Sequence, residues 1–454
     1  MAGAAVAVVL GTVVSGAEVE AAPAQGRPNV LLIVTDDHRD GEESMSVLPE
    51  TRRLFASGGT EFSNAYATTP MCCPSRASIF SGRYVHNHGV TDNGSDLARP
   101  GLTWQRHLDE AGYETALYGK YLNSWLDRRP GDPIPYFDDS WQGYDLHHGK
   151  NPLEAERFLA ERATGFLERG EQDDSRPWAM VLATRSPHLP YRYPDRFRRD
   201  VGRFVPRPSV HDDLGDKPPY VRRAGRALHR RIRHGAEMRR PRNLYTGQLR
   251  ELMAVDEMVG QVFALLRRLS EDEVTLAIVV SDNGFFWGEH SLPGKKLPYR
   301  EAIEVPMYVR WPGRVAAGAL DDRLVANIDI APTIIDAAGV EPRYEPDGHS
   351  LLDLDWERRG LLLEGPKRLW SSYLRPGEQY VRWADGSREY YDLRRDPFQQ
   401  HNALASSAAV VGGHRPRHNL RRRLTVRRSV ARREARRMQA ALHRAARCAG
   451  RDCP

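Results

Sequence analysis

Net positive charge is missing from most of this sequence. The whole chain carries a formal charge of +6, but from His414 to the end there are 14 arginines, no lysine and only two acids, Glu434 and Asp452. That tail contributes +12, so residues 1–413 sum to −6. A mildly acidic body gives no general reason to expect nucleic acid or another polyanion as its partner.

Long hydrophobic runs are also missing after the first residues. Met1–Val14 is an uncharged, apolar stretch followed by small residues, as in a secretory signal, and it is short for a spanning helix. We therefore expect residues 1–26 to be a leader and the protein to be secreted or extracytoplasmic, without a transmembrane segment. Hydrophobic residues make up 40% and charged residues 28%, which is typical of a soluble globular protein and argues against a disordered one.

Cysteine is scarce, with four residues in two sets. Cys448 and Cys453 could close a small loop at the end of the chain, which suits an exported protein. The tail around them places aliphatic residues among its arginines, and one amphipathic basic helix is compatible with that pattern. A solvated or disordered tail is favoured over a specific binding role.

Four apolar segments each end abruptly in polar residues: Asn29–Val34, Thr115–Tyr118, Trp178–Ala183 and Leu276–Val280. Short runs rich in β-branched residues are typical of strands buried on both faces, and helical patterns lie between them. Alternation of this kind predicts an α/β fold with a large, mostly parallel sheet flanked by helices. Because ligands bind beyond the carboxyl ends of such strands, the four polar clusters are expected to meet at one edge.

The pattern changes near Gly339. Residues 380–393 read as a β-hairpin with a turn at Asp385-Gly386, which predicts a small antiparallel subdomain. Residues 195–240, rich in Arg, Pro and His without clear periodicity, read as a surface insertion. The predicted division is a leader at 1–26, a main α/β domain at 27–340, a C-terminal subdomain at 341–413 and a basic helical tail at 414–454.

The most specific motif is Cys72-Cys73-Pro74-Ser75-Arg76-Ala77-Ser78-Ile79-Phe80-Ser81-Gly82-Arg83. It resembles the type I sulfatase signature, with Phe80 and Ser81 in place of Leu and Thr. The resemblance implies that a separate formylglycine-generating enzyme oxidises Cys72 to formylglycine (3-oxoalanine), while Cys73 fills the variable position. A hydroxyl of the hydrated aldehyde would attack sulfur, and the second would later expel sulfate. Arg76 would steady the charged diol.

A second set, Asp36, Asp37, Asp282 and Asn283, offers hard oxygen ligands at two predicted strand ends. Such a set suits Ca²⁺, suits Mg²⁺ less well and makes zinc improbable. The resemblance implies that these residues bind one calcium ion together with residue 72, and that the ion neutralises the ester.

A third set is cationic and consists of Lys120, His188 and Lys295. Charge builds on the bridging oxygen as a sulfate ester breaks, so fixed cationic donors aimed there are the expected stabilisers. His188 resembles the family histidine that protonates the leaving group. Lys296 is adjacent to Lys295 and stays an alternative to it.

The sequence departs from many sulfatases at Leu122, where they have a histidine that helps to eject sulfate. Gly119-Lys120-Tyr121-Leu122-Asn123 instead resembles the branch that contains N-acetylglucosamine-6-sulfatases. His86 and His88 are candidates for the missing role, and His290 is a candidate substrate contact.

The resemblance extends from about Arg27 to Leu404 and implies the alkaline-phosphatase-like fold. It implies hydrolysis of sulfate monoesters, on a sulfated carbohydrate such as N-acetylglucosamine 6-sulfate or on an aryl sulfate. Two alternatives stay open. One is a phosphodiester or phosphonate monoester hydrolase of the same superfamily, and the other is a non-catalytic secreted protein that binds glycans through its arginine-rich tail.

Overall fold

The computed structural model describes six parts of the chain, residues 26–129, 131–142, 154–170, 176–234, 240–405 and 418–454. The predicted leader lies outside these parts except for its last residue. No helix in the described ranges is long and apolar enough to cross a membrane.

The strands, in chain order, are β1 (Asn29–Thr35), β2 (Thr60–Phe62), β3 (Ala65–Tyr66), β4 (Glu114–Gly119), β5 (Asp139–Trp141), β6 (Trp178–Ala183), β7 (Thr275–Ser281), β8 (Phe286–Trp287), β9 (Pro293–Gly294), β10 (Met307–Arg310), β11 (Ala319–Asp321), β12 (Val325–Ala326), β13 (Leu361–Glu364), β14 (Trp370–Arg375), β15 (Glu378–Trp383) and β16 (Arg388–Asp392). The α-helices are Glu42–Met45, Pro49–Thr51, Cys72–Ser81, Val85–His88, Trp104–Glu110, Asn123–Arg128, Ala155–Gly170, Pro219–Arg233, Pro241–Arg268, Arg300–Ile303, Ile330–Ala337 and His418–Ala445.

The main sheet has eight strands in the order β11-β2-β10-β7-β1-β6-β4-β5. The five strands from β7 to β5 are parallel to one another, and β10 runs antiparallel to both of its neighbours. In the centre, β1 pairs with β6 from Val30 to Val34 and with β7 along its whole length. The predicted large, mostly parallel sheet is therefore confirmed.

The apolar run of β1 is continuous because both faces of the sheet are covered. Val30, Leu32 and Val34 belong to one hydrophobic cluster, and the alternate residues Leu31 and Ile33 belong to another. The first cluster includes side chains of the helices Cys72–Ser81, Trp104–Glu110 and Ile330–Ala337. The second includes side chains of Ala155–Gly170 and Pro241–Arg268. The sheet thus forms the middle of three layers.

A separate antiparallel sheet follows in the order β13-β14-β15-β16, which confirms the predicted C-terminal β structure. One face of β15 meets the main body, where the Gln379 amide donates a 2.8 Å bond to the carbonyl of Pro298. The opposite face meets the helix His418–Ala445, where the Tyr380 hydroxyl donates to Gln439 at 3.3 Å. The small sheet is therefore sandwiched between the body and the tail.

The end of the tail is built into the protein. Met438 and Leu442 are buried, and Cys448 forms a disulfide with Cys453. The last residue is also held, because its carbonyl accepts hydrogen bonds from Arg358 Nε at 3.1 Å and the Tyr84 hydroxyl at 3.3 Å. The expectation of a solvated or disordered tail is wrong for this part of the chain, since one face of the helix covers the small sheet.

This packing predicts a stability cost for shortening a tail side chain. Leu442→Ala is expected to lower the free energy of unfolding by about 2–5 kcal/mol, because Leu442 is 1% exposed and its loss leaves a cavity against the sheet. Arg444→Ala, at an exposed position two residues later, should stay within about 0.5 kcal/mol of wild type. Urea denaturation of both variants measures the difference, and equal stability would contradict a packed tail.

Candidate active site

Four parallel strands of the main sheet end in polar residues at the same edge. Asp36 and Asp37 follow β1, Lys120 follows β4, His188 lies in the loop after β6, and Asp282 and Asn283 follow β7. All six residues come within reach of one another because parallel strands share an edge at their carboxyl ends.

The turn after β1 is held by its two neighbouring strands. The Asp36 amide donates to the Ser186 carbonyl at 3.1 Å, and the Asp37 amide donates to Asp282 Oδ1 at 3.2 Å. Asp37 has a φ of +70°, a conformation that Asp adopts more readily than most residues. The two consecutive carboxylates are thereby fixed relative to β6 and β7.

Cys72 is the first residue of the helix Cys72–Ser81, whose N-terminal end faces the carboxylates. Its thiol donates to Asp36 Oδ1 at 3.4 Å, and Lys295 Nζ lies 2.8 Å from its sulfur. Burial, reinforced by the negative charge of Asp36, raises the pKa of the Cys72 thiol to about 12. A thiol of this pKa is protonated at neutral pH, so unmodified Cys72 is a poor nucleophile here.

Basic side chains surround the carboxylates. Lys120 Nζ lies 2.5 Å from Asp36 Oδ2, and Lys295 Nζ donates to Asp37 Oδ1. Burial alone would raise the pKa of Asp36, but Lys120, His188, Lys295 and Arg76 together hold it well below its usual value. Asp36 therefore stays ionised although it is fully buried.

Arg76 ties the helix Cys72–Ser81 to two strand ends. Its Nε donates to Asp282 Oδ2 at 2.8 Å and its Nη1 to the Lys120 carbonyl at 2.5 Å. Burial, reinforced by Asp36, raises the pKa of Asp282 to about 6 despite this ion pair. Desolvation at this carboxylate therefore outweighs its ion pair with Arg76.

The same residues fit a hard cation. Ligand atoms of Asp36, Asp37, Cys72 and Asp282 all lie within 4.8 Å of one another. Asn283 Oδ1 is buried in the site without a hydrogen-bond partner, whereas its amide nitrogen donates to Asp37 Oδ1 at 2.6 Å. An unpartnered buried carbonyl oxygen beside three carboxylates matches the oxygen-rich coordination of Ca²⁺.

His188 faces this cluster from the loop after β6. Its Nδ1 donates to the Leu189 carbonyl at 2.5 Å, which leaves Nε2 toward the site, 3.7 Å from Asp37 Oδ2. Burial lowers the pKa of His188. The negative charges of Asp36 and Asp37 oppose this shift, whereas the positive charges of Lys295 and Lys120 add to it. The imidazole side chain is 34% exposed, so it borders both the carboxylates and solvent.

The two neighbouring lysines differ in position. Lys295, which directly follows β9, reaches Cys72 and Asp37 with a side chain that is only 9% exposed. Lys296 has a φ of +85° and is exposed, and its carbonyl accepts a hydrogen bond from the Trp370 indole. The geometry brings Lys295 rather than Lys296 against the cluster.

The candidate histidines bond elsewhere. His88 Nδ1 accepts from the Val90 amide, so its Nε2 donates to the Ser78 hydroxyl. His86 contacts Glu364 and the Cys448 carbonyl, where the tail meets the body. His290 is buried and contacts Asp212, with its Nε2 unpartnered. Leu122 is part of the hydrophobic core, so an apolar side chain fills the position of the family histidine.

Gln248, on the helix Pro241–Arg268, is a site residue that the sequence reading missed. Its amide nitrogen donates to the Asp37 carbonyl at 2.9 Å and to the Pro187 carbonyl at 3.4 Å. Its oxygen accepts from the Trp287 indole at 2.6 Å. One buried side chain therefore links the Asp37 turn to the His188 loop. The available signal was a glutamine within the buried stripe of an amphipathic helix.

Removing this link is expected to reduce activity without unfolding the protein. Gln248→Met keeps the side-chain volume but frees the Asp37 turn and the His188 loop, and small misplacements of this kind cost about 10- to 100-fold in kcat/KM. Gln261→Met, at an exposed position of the same helix, is the matched control and should behave as wild type. Steady-state kinetics combined with a thermal melt test the prediction, and unchanged kcat/KM for Gln248→Met would contradict it.

Sequence comparison finds proteins related to this chain. A model of the family described as Sulfatase matches residues 28–340. An extracellular sulfatase SULF-1 homolog of Drosophila melanogaster is 31% identical over 363 residues, which is 72% of this chain and 31% of that protein. The human N-acetylglucosamine-6-sulfatase is 30% identical over 360 residues, which is 72% of this chain and 64% of that protein. The chain therefore spans less than two thirds of either animal relative.

Two solved structures have the same fold. One is a protein in complex with its substrate D-glucosamine-2-N,6-O-disulfate, with a TM-score of 0.72 and 22% identity over 90% of this chain and 98% of that one. The other is a phosphonate monoester hydrolase from Silicibacter pomeroyi, also with a TM-score of 0.72, at 21% identity over 92% of this chain and 95% of that one. At these identities the likeness establishes the fold and leaves the choice of substrate to the site.

Proposed function

Because this chain belongs to the sulfatase family, we propose that it hydrolyses sulfate monoesters at the carboxyl edge of its main sheet, with residue 72 as the nucleophile. One observation carries the proposal. Cys72, at a helix N-terminus, lies within 4.8 Å of three buried carboxylates and directly beside Lys295. A cysteine of raised pKa in such a place has no evident role as a thiol, whereas it suits a residue that is converted to another nucleophile.

The proposed active form needs two groups that maturation and solvent would supply. Formylglycine made from Cys72 would supply a hydroxyl nucleophile, and Ca²⁺ would supply positive charge that offsets the negative charge of the ester. Asp36, Asp37, Asp282 and Asn283 would hold the ion through oxygen atoms. The buried, unpartnered Asn283 Oδ1 is the feature that most directly supports an ion at this place.

The remaining residues bind the ester and move a proton. Lys120 and Lys295 are fixed ammonium groups on either side of Asp36, and they would bind sulfate oxygens as charge develops. Arg76 donates hydrogen bonds to Asp282 and to the Lys120 carbonyl, so it would hold the helix Cys72–Ser81 in position against two strand ends. His188 would protonate the bridging oxygen through Nε2, because its Nδ1–H is already donated to Leu189.

For the substrate, we propose a sulfated amino sugar of the N-acetylglucosamine 6-sulfate type. The name of the human relative and the glucosamine disulfate bound in the related structure both support this class. Secretion is proposed with it, supported by the extracellular fly relative and by a C-terminal disulfide of the kind found in oxidising compartments.

Parallel assays test the proposal against its nearest rival. Protein co-expressed with a formylglycine-generating enzyme is expected to release sulfate from N-acetylglucosamine 6-sulfate and from an aryl sulfate. Its kcat/KM should be at least about tenfold higher on the aryl sulfate than on the matched aryl phosphonate monoester. A preference for the phosphonate would replace the sulfatase proposal with the phosphonate hydrolase alternative.

The proposed acid predicts how activity depends on pH. His188 must carry its second proton to act, so kcat/KM should fall as pH rises through its pKa, which burial lowers below the ordinary histidine value. His188→Gln should remove that limb of the pH profile, with a larger loss on a sugar sulfate than on an aryl sulfate, whose leaving group needs less protonation. An identical limb in the variant would assign the titration to another group.

A further inference from the structure

The helix Pro219–Arg233 concentrates positive charge that the net charge of the body conceals. It contains six arginines and no acid in 15 residues. Because residues 1–413 sum to −6, the rest of that body carries −12. The positive charge is therefore concentrated in this helix, whereas the rest of the body is acidic.

The charge is arranged along one side of the helix. Arg223, Arg226, Arg230 and Arg233 follow the spacing i, i+3, i+7 and i+10, which places them in one stripe about 15 Å long. All four are exposed, and none has an acidic partner within 4 Å in the described ranges. We call these four residues the arginine stripe. Val221, Gly225 and Leu228 form the buried stripe on the opposite side.

The helix packs against the segment that contains Lys295, the residue that contacts Cys72. Val221 belongs to the same hydrophobic cluster as Leu292 and Leu297, on either side of Lys295. A Cβ added at Gly225 would lie 3.3 Å from Ser291 Cβ. Ser291 and Lys295 are four residues apart, so their Cα atoms lie within about 14 Å. The helix thus packs with its buried stripe on the segment that carries Lys295, and it presents the arginine stripe to solvent on its other side.

We infer that the arginine stripe is a docking surface for the anionic groups of a sulfated polysaccharide whose reacting ester sits at Cys72. The guanidinium fork matches sulfate oxygens in pairs. Arg226 and Arg230 are like charges at i,i+4, which destabilise a bare helix, and a bound polyanion relieves that repulsion. A polymer with repeated sulfates can occupy the stripe and the catalytic site together, and a monosaccharide cannot. The choice of a sulfated polymer over other polyanions rests on the proposed function.

The test uses heparin as the probe and the whole chain as the protein. Arg223→Gln/Arg226→Gln/Arg230→Gln removes three charges and keeps helix propensity. Its matched control, Arg432→Gln/Arg436→Gln/Arg447→Gln, removes three exposed charges from the tail. The helix variant is expected to elute from immobilised heparin at lower salt, with the control close to wild type. The KM of the helix variant for heparin oligosaccharides should rise about tenfold, at about twofold for each of the three lost contacts, while its kcat/KM for N-acetylglucosamine 6-sulfate stays within about twofold.

Three results would overturn the inference. The helix variant could elute with wild type, both variants could weaken equally, or duplex DNA could displace wild type from heparin as efficiently as free heparin does. The last result would indicate a general polyanion surface. Heparin retention is read without catalysis, so it separates this inference from the proposed function. A wild-type protein that releases no sulfate, but whose retention depends on the stripe, would refute the activity and leave the surface in place.

Discussion

Replacing Cys72 with alanine is expected to abolish sulfate release, with a loss of about 10⁵- to 10⁶-fold in kcat, as for other enzymes deprived of their nucleophile. The surrounding side chains are positioned around residue 72, and in the proposed mechanism only this residue provides the attacking oxygen. Lys295 Nζ lies 2.8 Å from its sulfur, and Asp36 accepts a hydrogen bond from its thiol. The measurement is single-turnover and steady-state hydrolysis of an aryl sulfate.

The adjacent cysteine provides the control. Cys73 is buried in the hydrophobic core and accepts a backbone hydrogen bond from Asn123, so Cys73→Ala should lose some stability but keep its activity. Peptide mass spectrometry of the wild type should find a loss of about 18 Da at residue 72, the change from thiol to aldehyde, and none at residue 73. Sulfate release by protein whose Cys72 is entirely a thiol would refute the assigned nucleophile.

Removing the proposed calcium ion is expected to cause the second largest loss of activity. Chelation should lower kcat/KM by about 10³-fold, because a metal ion at the reacting ester contributes several kcal/mol and each 1.4 kcal/mol is a factor of ten. Calcium should restore the activity and zinc should not, since the site offers carboxylate and amide oxygens.

Calcium binding can also be followed without catalysis. An ion that binds only the folded state should raise the free energy of unfolding by about 2.7 kcal/mol at one hundred times its dissociation constant. Asn283→Ala removes the unpartnered oxygen and should lose most of this stabilisation, whereas Gln261→Ala, far along an exposed helix face, should retain it. Equal calcium stabilisation in both variants would argue against Asn283 as a ligand.

Local patterns in the sequence predicted the main sheet well. Buried parallel strands need continuous apolar runs, and β1 and β7 are such runs, each followed directly by an aspartate. The small sheet was equally visible, because the Asp385-Gly386 turn marks its last hairpin. The residues at the strand ends could be predicted to converge because strand direction alone determines where those ends lie.

Features that depend on distant contacts were not visible. Gln248 is 211 residues from Asp37, and nothing in its own helix identifies the carbonyl that it reaches. The sequence does not predict the helix Pro219–Arg233, which lies in the expected surface insertion at residues 195–240, because only three of its residues are buried, too few for a clear apolar stripe. Lys295 and Lys296 are indistinguishable in sequence, and the β8–β9 hairpin decides which of them reaches Cys72.

The depth of Cys72 constrains when it can be modified. In the folded protein the residue is 1% exposed and enclosed by carboxylates that follow β1 and β7. The carboxylate that pairs with Arg76 lies 206 residues further along the chain, so the enclosure is incomplete until that segment has been synthesised. At about 5–20 residues per second, that interval is about 10–40 s. The proposed maturation enzyme would therefore have this period during translation in which the motif is not yet enclosed. Slowing or speeding the synthesis of residues 73–283 should change the fraction of protein that is converted.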